Sequence, residues 1–212
     1  MINKDSFSSV QLDILKEIGN IGAGNAATAL SKLLNKKIKM TVPMVRIVSY
    51  DEMMQLAGGP DEKVAAVFLQ FDGKISGNMF FILSTAKATS LIRSITGLTE
   101  FSFDNPDCSE LAYSAFQEIG NILAGSYLSS LSDFLQISLV PSVPAVSVDM
   151  FGAIITYGLI EISYASDFAI VIETEIKDPS AANGNNSVRG HFFLLPDPDS
   201  FKKLFSKLGV ES

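Results

Sequence analysis

The sequence has little of the side-chain chemistry on which most hydrolytic enzymes depend, because it contains one cysteine, Cys108, and one histidine, His191. A single cysteine excludes an internal disulfide. One cysteine and one histidine are too few for an ordinary zinc site, and a Ser-His-Asp or Cys-His mechanism would have to use His191. We interpret His191 as a structural or surface residue, because it lies in "RGHFFLLP", which has the pattern of a strand. Any enzymatic chemistry would therefore use carboxylates, amides or groups supplied by a partner.

The sequence also lacks a membrane segment, a signal peptide and an excess of positive charge. The longest apolar region, residues 140–160, is interrupted by Pro141, Pro144 and Asp149, so we do not expect it to span a bilayer. The N-terminus "MINKDSFSSVQLD" has no apolar signal core. The formal net charge of −7 and the pI of about 4.7 argue against nucleic acid or an anionic membrane as the main partner. We therefore expect a cytoplasmic protein.

An internal repeat is the most informative feature that the sequence does contain. The segment "DILKEIGNIGAG", residues 13–24, recurs as "SAFQEIGNILAG", residues 114–125. The offset of 101 positions is constant and also relates Pro43 in "TVPMV" to Pro144 in "SVPAV". Repeats of this kind indicate a duplicated structural unit.

The similarity continues beyond this motif with a larger offset. Residues 76–97 resemble residues 189–209, and the loop at 178–187 can hold the extra residues. We predict one domain over residues 1–212, built from two repeats at about 7–100 and 107–212.

Each repeat shows the pattern of a long helix, a strand, a short helix, a hairpin and a final helix, which is an α+β layout. The predicted helices are 8–34, 51–58 and 85–97, then 107–134, 151–163 and 197–209, and the predicted strands are 44–50, 63–72 and 76–83, then 145–149, 167–177 and 188–195. The β-branched residues of 151–163 also suit a strand, and only analogy with the first repeat favours a helix. Asp197 and Asp199 are both candidates for the N-cap of the last helix.

The long helices are predicted to be amphipathic, with a glutamate and an asparagine side by side on the solvent face. At 100° per residue, one face carries Asp13, Glu17, Asn20, Gly24 and Ser31, and its copy carries Ser114, Glu118, Asn121, Gly125 and Ser132. The opposite, buried face is predicted to carry Leu15, Ile18, Gly22, Ala26, Ala29 and Leu33, and in the copy Phe116, Ile119, Leu123, Tyr127 and Phe134.

The glycines of these helices need an explanation, since each costs roughly 1 kcal/mol relative to alanine. Gly22 lies on the predicted buried face, where it would allow close packing. Gly24 and Gly125 lie on the exposed face, where a bare backbone would let another molecule approach. The periodicity gives no account of Gly19 and Gly120.

Two alternative interpretations bear on this motif. The segment "GAGNAA", residues 22–27, fits a dinucleotide fingerprint, but that fingerprint must follow a strand and open a helix. Here it lies inside a helical pattern, and the second copy lacks it. Inheritance from a duplication would also preserve matching residues without function, although the rest of the two repeats has diverged.

The motif resembles the signature of the CheC/CheX/FliY family of chemotaxis phosphatases. The matching patterns are Asp13-x3-Glu17-x2-Asn20-x22-Pro43 and Ser114-x3-Glu118-x2-Asn121-x22-Pro144. Two copies in one chain resemble the CheC branch rather than single-motif CheX, and the sequence given lacks the C-terminal switch domain of FliY. The resemblance implies two pseudo-symmetric halves that share a mostly antiparallel sheet and expose both motif helices.

The resemblance also implies an activity, which is dephosphorylation of the response regulator phospho-CheY in two-component signalling. Catalytic roles would then fall to Glu17, Asn20, Glu118 and Asn121, with Asp13, Gly24, Ser114 and Gly125 supporting the contact with the partner. The regulator would bring its own Mg²⁺ and lysine, so that no cofactor is expected on this chain, and the asparagine would orient water as a glutamine does in GTPases. We expect both prolines to end the link between the long helix and the strand.

The resemblance implies a second partner, the receptor deamidase CheD, whose binding surface the sequence does not locate. Two alternatives to a two-site enzyme stay open at this point. The exposed helices could bind the regulator or CheD without turnover, or only one of the two copies could be active.

Overall fold

The computed structural model describes residues 8–105, 109–160, 168–179 and 187–209, with backbone alone at 157–160. The elements, in chain order, are α1 (Ser9–Leu34), β1 (Lys39–Ser49), α2 (Tyr50–Leu56), β2 (Lys63–Gly73), β3 (Gly77–Ser84), α3 (Thr85–Thr96), α4 (Glu110–Leu135), β4 (Leu139–Pro141), β5 (Ala145–Met150), α5 (Phe151–Ile160), β6 (Phe168–Lys177), β7 (Ser187–Pro196) and α6 (Pro198–Lys207). The predicted order of helices and strands is confirmed, including a helix at α5, except that the short strand β4 between α4 and β5 was not predicted. Residues 161–163 of that prediction lie outside the described residues.

A seven-stranded antiparallel sheet connects the two halves of the chain. Its order is β1-β6-β7-β3-β2-β4, and β5 also pairs with β2. The hairpins β2–β3 and β6–β7 meet at the centre, where Phe80 lies opposite Phe193. Each hairpin is then flanked by a strand from the other half, β6 by β1 and β2 by β5. The shared antiparallel sheet is therefore confirmed, and each half completes the sheet of the other.

The division of the domain into repeats of about 7–100 and 107–212 stays a prediction. Residues 106–108, where the boundary would fall, lie outside the described residues, as do Cys108 and most of the 178–187 loop.

The helices cover both faces of the sheet. One face packs against α1, α3, α4 and α6, which contribute apolar side chains such as Leu30, Leu91, Phe116 and Phe201 to a large core. The other face packs against α2 and α5 through a smaller core that includes Met53 and Phe151. The alternation of side chains along each strand supplies both cores at once. None of the helices in the described ranges is long and apolar enough to cross a membrane.

The two long helices contact each other and the sheet through small residues. A Cβ at Gly22 would lie 2.8 Å from Cδ1 of Tyr127 and 3.1 Å from its Cα, which confirms that Gly22 allows close packing. The hydroxyl of Tyr127 lies 2.8 Å from Oγ1 of Thr174 on β6. Burial raises the pKa of Tyr127 to about 12, and the hydrogen bond with Thr174 opposes this shift. The side chain of Tyr127, which is neutral at physiological pH, therefore packs against Gly22 of α1 and anchors α4 to β6.

The predicted buried face of the long helices is wrong at its C-terminal end. Leu33 is 55% exposed and Phe134 is 50% exposed. The last turn of α1 instead directs Leu30 and Leu34 toward Leu91 on α3. The last turn of α4 lies against α6, where Nζ of Lys207 donates to the carbonyl of Leu135 at 3.2 Å. The buried face therefore rotates in the last turn of each long helix, because α1 there packs against α3 and α4 packs against α6.

One element boundary differs from the prediction, and another agrees with it in position but not in its hydrogen bond. Pro43 does not end the link before a strand, because β1 begins at Lys39 and includes it. The strand tolerates this proline at a register irregularity between Thr41 and Met44. Asp197 is at the N-cap of α6 but makes no capping bond there, since its carboxylate accepts a short hydrogen bond from the hydroxyl of Ser76.

His191 is a structural residue of the sheet rather than part of an acid–base pair. Its ring stacks on Phe193 with 5.9 Å between the ring centroids. Burial lowers the pKa of His191 below 6.5, and Lys87 and Arg46 lower it further, whereas Glu173 raises it. The interpretation of His191 from the sequence agrees with this position.

The low pKa of His191 predicts acid-sensitive stability. Below the unfolded pKa of 6.5 the unfolded chain binds a proton that the folded protein does not, so the free energy of unfolding falls as the pH falls toward the folded pKa. Urea denaturation at pH values of about 5 and about 7.5 measures this difference. We expect His191→Gln to reduce the loss of stability at acidic pH, and an unchanged loss in that variant would contradict the assignment.

Candidate functional site

Each long helix presents the predicted acidic and amide residues along one line. Asp13 and Glu17 are exposed on α1, and Asn20 is half-buried. On α4, Ser114, Glu118 and Asn121 are all exposed. A glutamate and an asparagine three residues apart are separated by about 4.5 Å along the helix axis. The structure therefore brings together the residues of each motif copy, and three of the four predicted catalytic residues are exposed.

The carboxylates of these motifs have no cationic partner in the described part of the chain. The ion pairs formed there join other residues, such as Lys177 with Glu175 and Arg189 with Glu173, and none of them includes Glu17 or Glu118. An exposed, unpaired carboxylate on a rigid helix can form a charge-assisted bond with a cation of another molecule.

The asparagine of the first copy is held by two hydrogen bonds to the backbone. Nδ2 of Asn20 donates to the carbonyl of Lys16 at 3.1 Å. Oδ1 accepts from the amide nitrogen of Val42 at 3.0 Å. Asn20 therefore connects α1 to β1 immediately before Pro43, where the strand register is irregular. One N–H of the side chain and one lone pair of its oxygen remain for other partners.

The asparagine of the second copy is not held in this way. Asn121 is exposed, and no hydrogen bond of its side chain occurs within the described ranges. The helix is connected to the following segment through Gln117 instead, whose Nε2 donates to the carbonyl of Pro144 at 2.6 Å. Asn121 therefore keeps both functional groups of its amide available.

The difference between the two asparagines follows from the strand beside each helix. In the first half β1 is continuous, and Val42 is buried at 2% exposure with its amide directed at Asn20. In the second half the strand beside β2 is interrupted at residues 142–144, between β4 and β5, although Ser142 still bonds to Gln70 on β2. Val143, the counterpart of Val42, is there 85% exposed. The prediction that each asparagine lies free on the solvent face is therefore confirmed for Asn121 and only partly met by Asn20.

The motif glycines fall into two classes. A Cβ at Gly24 or Gly125 would meet no atom within 4 Å, so the open backbone predicted beside the asparagines is present at both sites. Gly19 and Gly120 lie beneath the motif and face the sheet. A Cβ at Gly120 would lie 2.5 Å from Val67 on β2, whereas at Gly19 it would lie 3.4 Å from Val42. This packing explains Gly120, which helical periodicity could not, whereas a Cβ at Gly19 would make only an ordinary contact and packing does not require a glycine there.

Sequence reasoning missed the connection between the asparagine and the strand. The fixed spacing between Asn20 and Pro43 is consistent with this connection, because Asn20 bonds to Val42, the residue before Pro43. It also missed Gln117 and the exposed segment that follows β4. No pattern in the sequence separates Gln117 from an ordinary polar residue of a helix surface.

Comparison with known families and proteins agrees with the repeated motif. The CheC-like family model matches residues 10–47 and again residues 111–148, which contain the two copies from Asp13 to Pro43 and from Ser114 to Pro144. The chain is 47% identical over 200 residues to the CheY-P phosphatase CheC of Bacillus subtilis, and the match covers 94% of both proteins. It is also 29% identical over 144 residues to the flagellar motor switch phosphatase FliY of the same organism, covering 68% of this chain and 37% of that protein.

Solved structures of two flagellar proteins, FliY and FliM, have the same fold as this chain. Thermotoga maritima FliY superposes with a TM-score of 0.70 at 24% identity, covering 95% of this chain and 97% of that one. The FliM middle domain from H. pylori superposes with a TM-score of 0.64 at 16% identity, covering 95% and 99%. Because flagellar proteins of different names share this fold, the fold does not by itself assign an activity.

Proposed function

The chain belongs to the CheC-like family, and from this membership we propose that it is a phosphatase that hydrolyses the aspartyl phosphate of the response regulator phospho-CheY. The observation that carries the proposal is the pair Glu118 and Asn121, which are exposed on one face of α4 and have no side-chain partner among the described residues. A relative that covers 94% of this chain is named CheY-P phosphatase. We propose a cytoplasmic location for this chain, because the proposed substrate is a soluble response regulator.

The reaction needs a positioned water more than it needs a reactive side chain. Water attacks phosphorus in line with the bond to the aspartyl oxygen, that bond breaks, and the products are inorganic phosphate and a free carboxylate. The regulator supplies Mg²⁺ and a lysine that neutralise the developing charge. Oδ1 of Asn121 accepts a hydrogen bond from the attacking water, and Nδ2 donates to an acceptor in the regulator's active site. Orienting water in this way can lower the barrier by several kcal/mol.

The carboxylates fix the position of the regulator on the helix. Glu118, one turn before Asn121, forms a charge-assisted bond with a lysine of the regulator and so sets the register of the asparagine. Glu17 does the same at the first site. Asp13 and Ser114 contact the partner one turn earlier. The open backbone at Gly24 and Gly125 admits the loops around the regulator's phosphorylation site.

An adaptor without catalytic turnover is the second candidate function. The same exposed helices would then bind the regulator, or the receptor deamidase CheD that the family resemblance implies. The half-buried amide of Asn20 favours this role for the first site, because a side chain already held by two backbone bonds can contact a partner without orienting a water.

Decay of the phosphorylated regulator separates the two candidates. The cognate CheY is phosphorylated with acetyl phosphate and Mg²⁺, freed of the donor, and its decay is followed with and without this protein at a catalytic ratio. A phosphatase shortens the lifetime with multiple turnovers. A complex that forms with phospho-CheY while the decay rate stays unchanged would establish the adaptor instead. Repeating the assay with CheD tests the second partner through a change in the same rate.

A further inference from the structure

The segment between β4 and β5 presents an apolar side chain to solvent in a fixed position. Together with Pro141, the last residue of β4, this segment has the sequence Pro-Ser-Val-Pro, and residues 141–144 are called the PSVP loop. Val143 at its tip is 85% exposed, the highest value among the large apolar residues that the structure describes as exposed. Its counterpart Val42 is buried, so the exposed valine belongs to the second half alone.

Hydrogen bonds on both sides hold the PSVP loop against the sheet and the helix. The amide of Ser142 donates to the carbonyl of Gln70 at 2.8 Å, and the amide of Gln70 donates to Oγ of Ser142 at 3.0 Å. Gln117 on α4 donates to the carbonyl of Pro144. The two prolines at the ends restrict the backbone further. A loop restrained in this way loses little entropy when a partner binds to it.

The same contacts place the PSVP loop beside the proposed catalytic residues. Gln117 precedes Glu118 directly and lies one turn before Asn121, so its side chain and that of Asn121 are neighbours on the helix surface. The first site shows the corresponding proximity directly, because Asn20 bonds to the backbone of Val42. Gln117 thus connects the helix face that carries Asn121 to the residue that follows Val143.

We propose that Val143 is a docking contact for the receiver domain of the response regulator at the second site, and that Gln117 is the positioning residue that holds the PSVP loop in place. This inference rests on the proposed function. An exposed apolar side chain on a restrained loop, connected through Gln117 to the helix that carries the exposed Glu118, suits a partner surface that combines an apolar patch with a lysine. Contacts of this kind contribute to binding rather than to the chemical step, so the expected effect is on KM.

Val143→Ser tests the docking contact in a background of Asn20→Ala, which leaves turnover to the second site. We expect the KM for phospho-CheY to rise about 5- to 10-fold with kcat unchanged. The affinity for the beryllofluoride-activated regulator should fall by a similar factor. The melting temperature should not change, because the side chain makes few contacts in the folded protein.

Val140→Ser is the matched control, since it is the same substitution three residues earlier. Val140 is 62% exposed and pairs with Asp72 on β2, whereas Pro141 pairs with Phe71. Because Phe71 contributes to the core beneath α4, Val140 points to the opposite face of the sheet. We expect Val140→Ser to leave KM unchanged. An equal rise of KM in both variants would overturn the specific role of Val143.

Gln117→Met tests the positioning role, because methionine keeps the length of the side chain but cannot donate to Pro144. We expect faster hydrogen exchange of the PSVP loop amides, a higher KM and an unchanged kcat. Val143→Ser should then have a smaller effect in the Gln117→Met background than alone. Unchanged exchange and an unchanged KM would show that Gln117 does not position the loop.

The two measurements distinguish failure of this inference from failure of the proposed function. If phospho-CheY decay is accelerated but Val143→Ser behaves as the unsubstituted protein, the docking contact is refuted and the phosphatase stands. If decay is not accelerated but Val143→Ser still weakens binding of the beryllofluoride-activated regulator, the docking contact stands and the phosphatase is refuted.

Discussion

Replacing both asparagines, Asn20→Ala with Asn121→Ala, is expected to abolish the acceleration of phospho-CheY decay, and Asn121→Ala alone is expected to remove most of it. Asn121 has both functional groups of its amide available, whereas Asn20 is held by the carbonyl of Lys16 and the amide of Val42. Misplacing a reacting group costs on the order of 100-fold in rate, and we expect a loss of that size at the second site. Phosphate release from single and double variants at equal concentration measures the contributions.

Asn20→Ala is expected to affect stability more than turnover. Its loss leaves the amide of Val42 without its acceptor in a partly buried position, which costs about 1–3 kcal/mol. Asn121→Ala removes no hydrogen bond within the described residues, so its free energy of unfolding should match that of the unsubstituted protein. This difference makes the two variants controls for each other. If Asn20→Ala removes most of the activity while Asn121→Ala removes little, the assignment of the main site is wrong.

The hydrogen bonds of Asn20 also suggest what docking at the first site requires. Productive use of its amide needs the bond to Val42 to be exchanged for bonds to the regulator, and β1 then loses a contact with α1. The second site needs no such exchange, since the PSVP loop is fixed through Gln117 rather than through the asparagine. The same motif therefore combines a structural bond in one half with a free amide in the other.

Much of the fold could be predicted from the sequence because its signals are local. The 3.6-residue periodicity from Leu15 to Leu30 and the hairpin patterns around β2–β3 and β6–β7 depend on nearby residues. The pairing of β1 with β6 could not be predicted in that way, because it joins strands more than a hundred residues apart. The exposure of Leu33 was missed for a related reason, since periodicity does not reveal where a helix exchanges one packing neighbour for another.

The candidate site was predictable in its helix face but not in its surroundings. Glu118 and Asn121 lie where the spacing placed them, because a helix fixes the direction of its own side chains. The availability of the Asn20 amide depends on how closely β1 approaches α1, which is a tertiary property. The exposure of Val143 follows from the interruption of the strand between β4 and β5, which no local pattern in the sequence reveals.

Substitution by alanine is expected to change the free energy of unfolding in opposite directions at Gly19 and Gly120, although the two glycines are equivalent in the repeat. A Cβ at Gly120 would lie 2.5 Å from three side-chain atoms of Val67, a buried residue of β2 that cannot move aside. We expect Gly120→Ala to lower the free energy of unfolding by about 1–3 kcal/mol through overpacking. A Cβ at Gly19 would make an ordinary contact with Val42 at 3.4 Å, so Gly19→Ala should raise stability by up to about 1 kcal/mol through helix propensity.

Urea denaturation of the two variants measures this difference, and Gly24→Ala, whose Cβ would meet nothing within 4 Å, provides the reference for helix propensity alone. Gly120 precedes Asn121 directly, so a shift of α4 away from β2 would also move the free amide that the second site depends on. Gly120→Ala should therefore lose phosphatase activity along with stability, although its side chain would face the sheet and not the regulator. Equal stability of the Gly19 and Gly120 variants would show that α4 lies no closer to the sheet than α1 does, and would remove the packing explanation for Gly120.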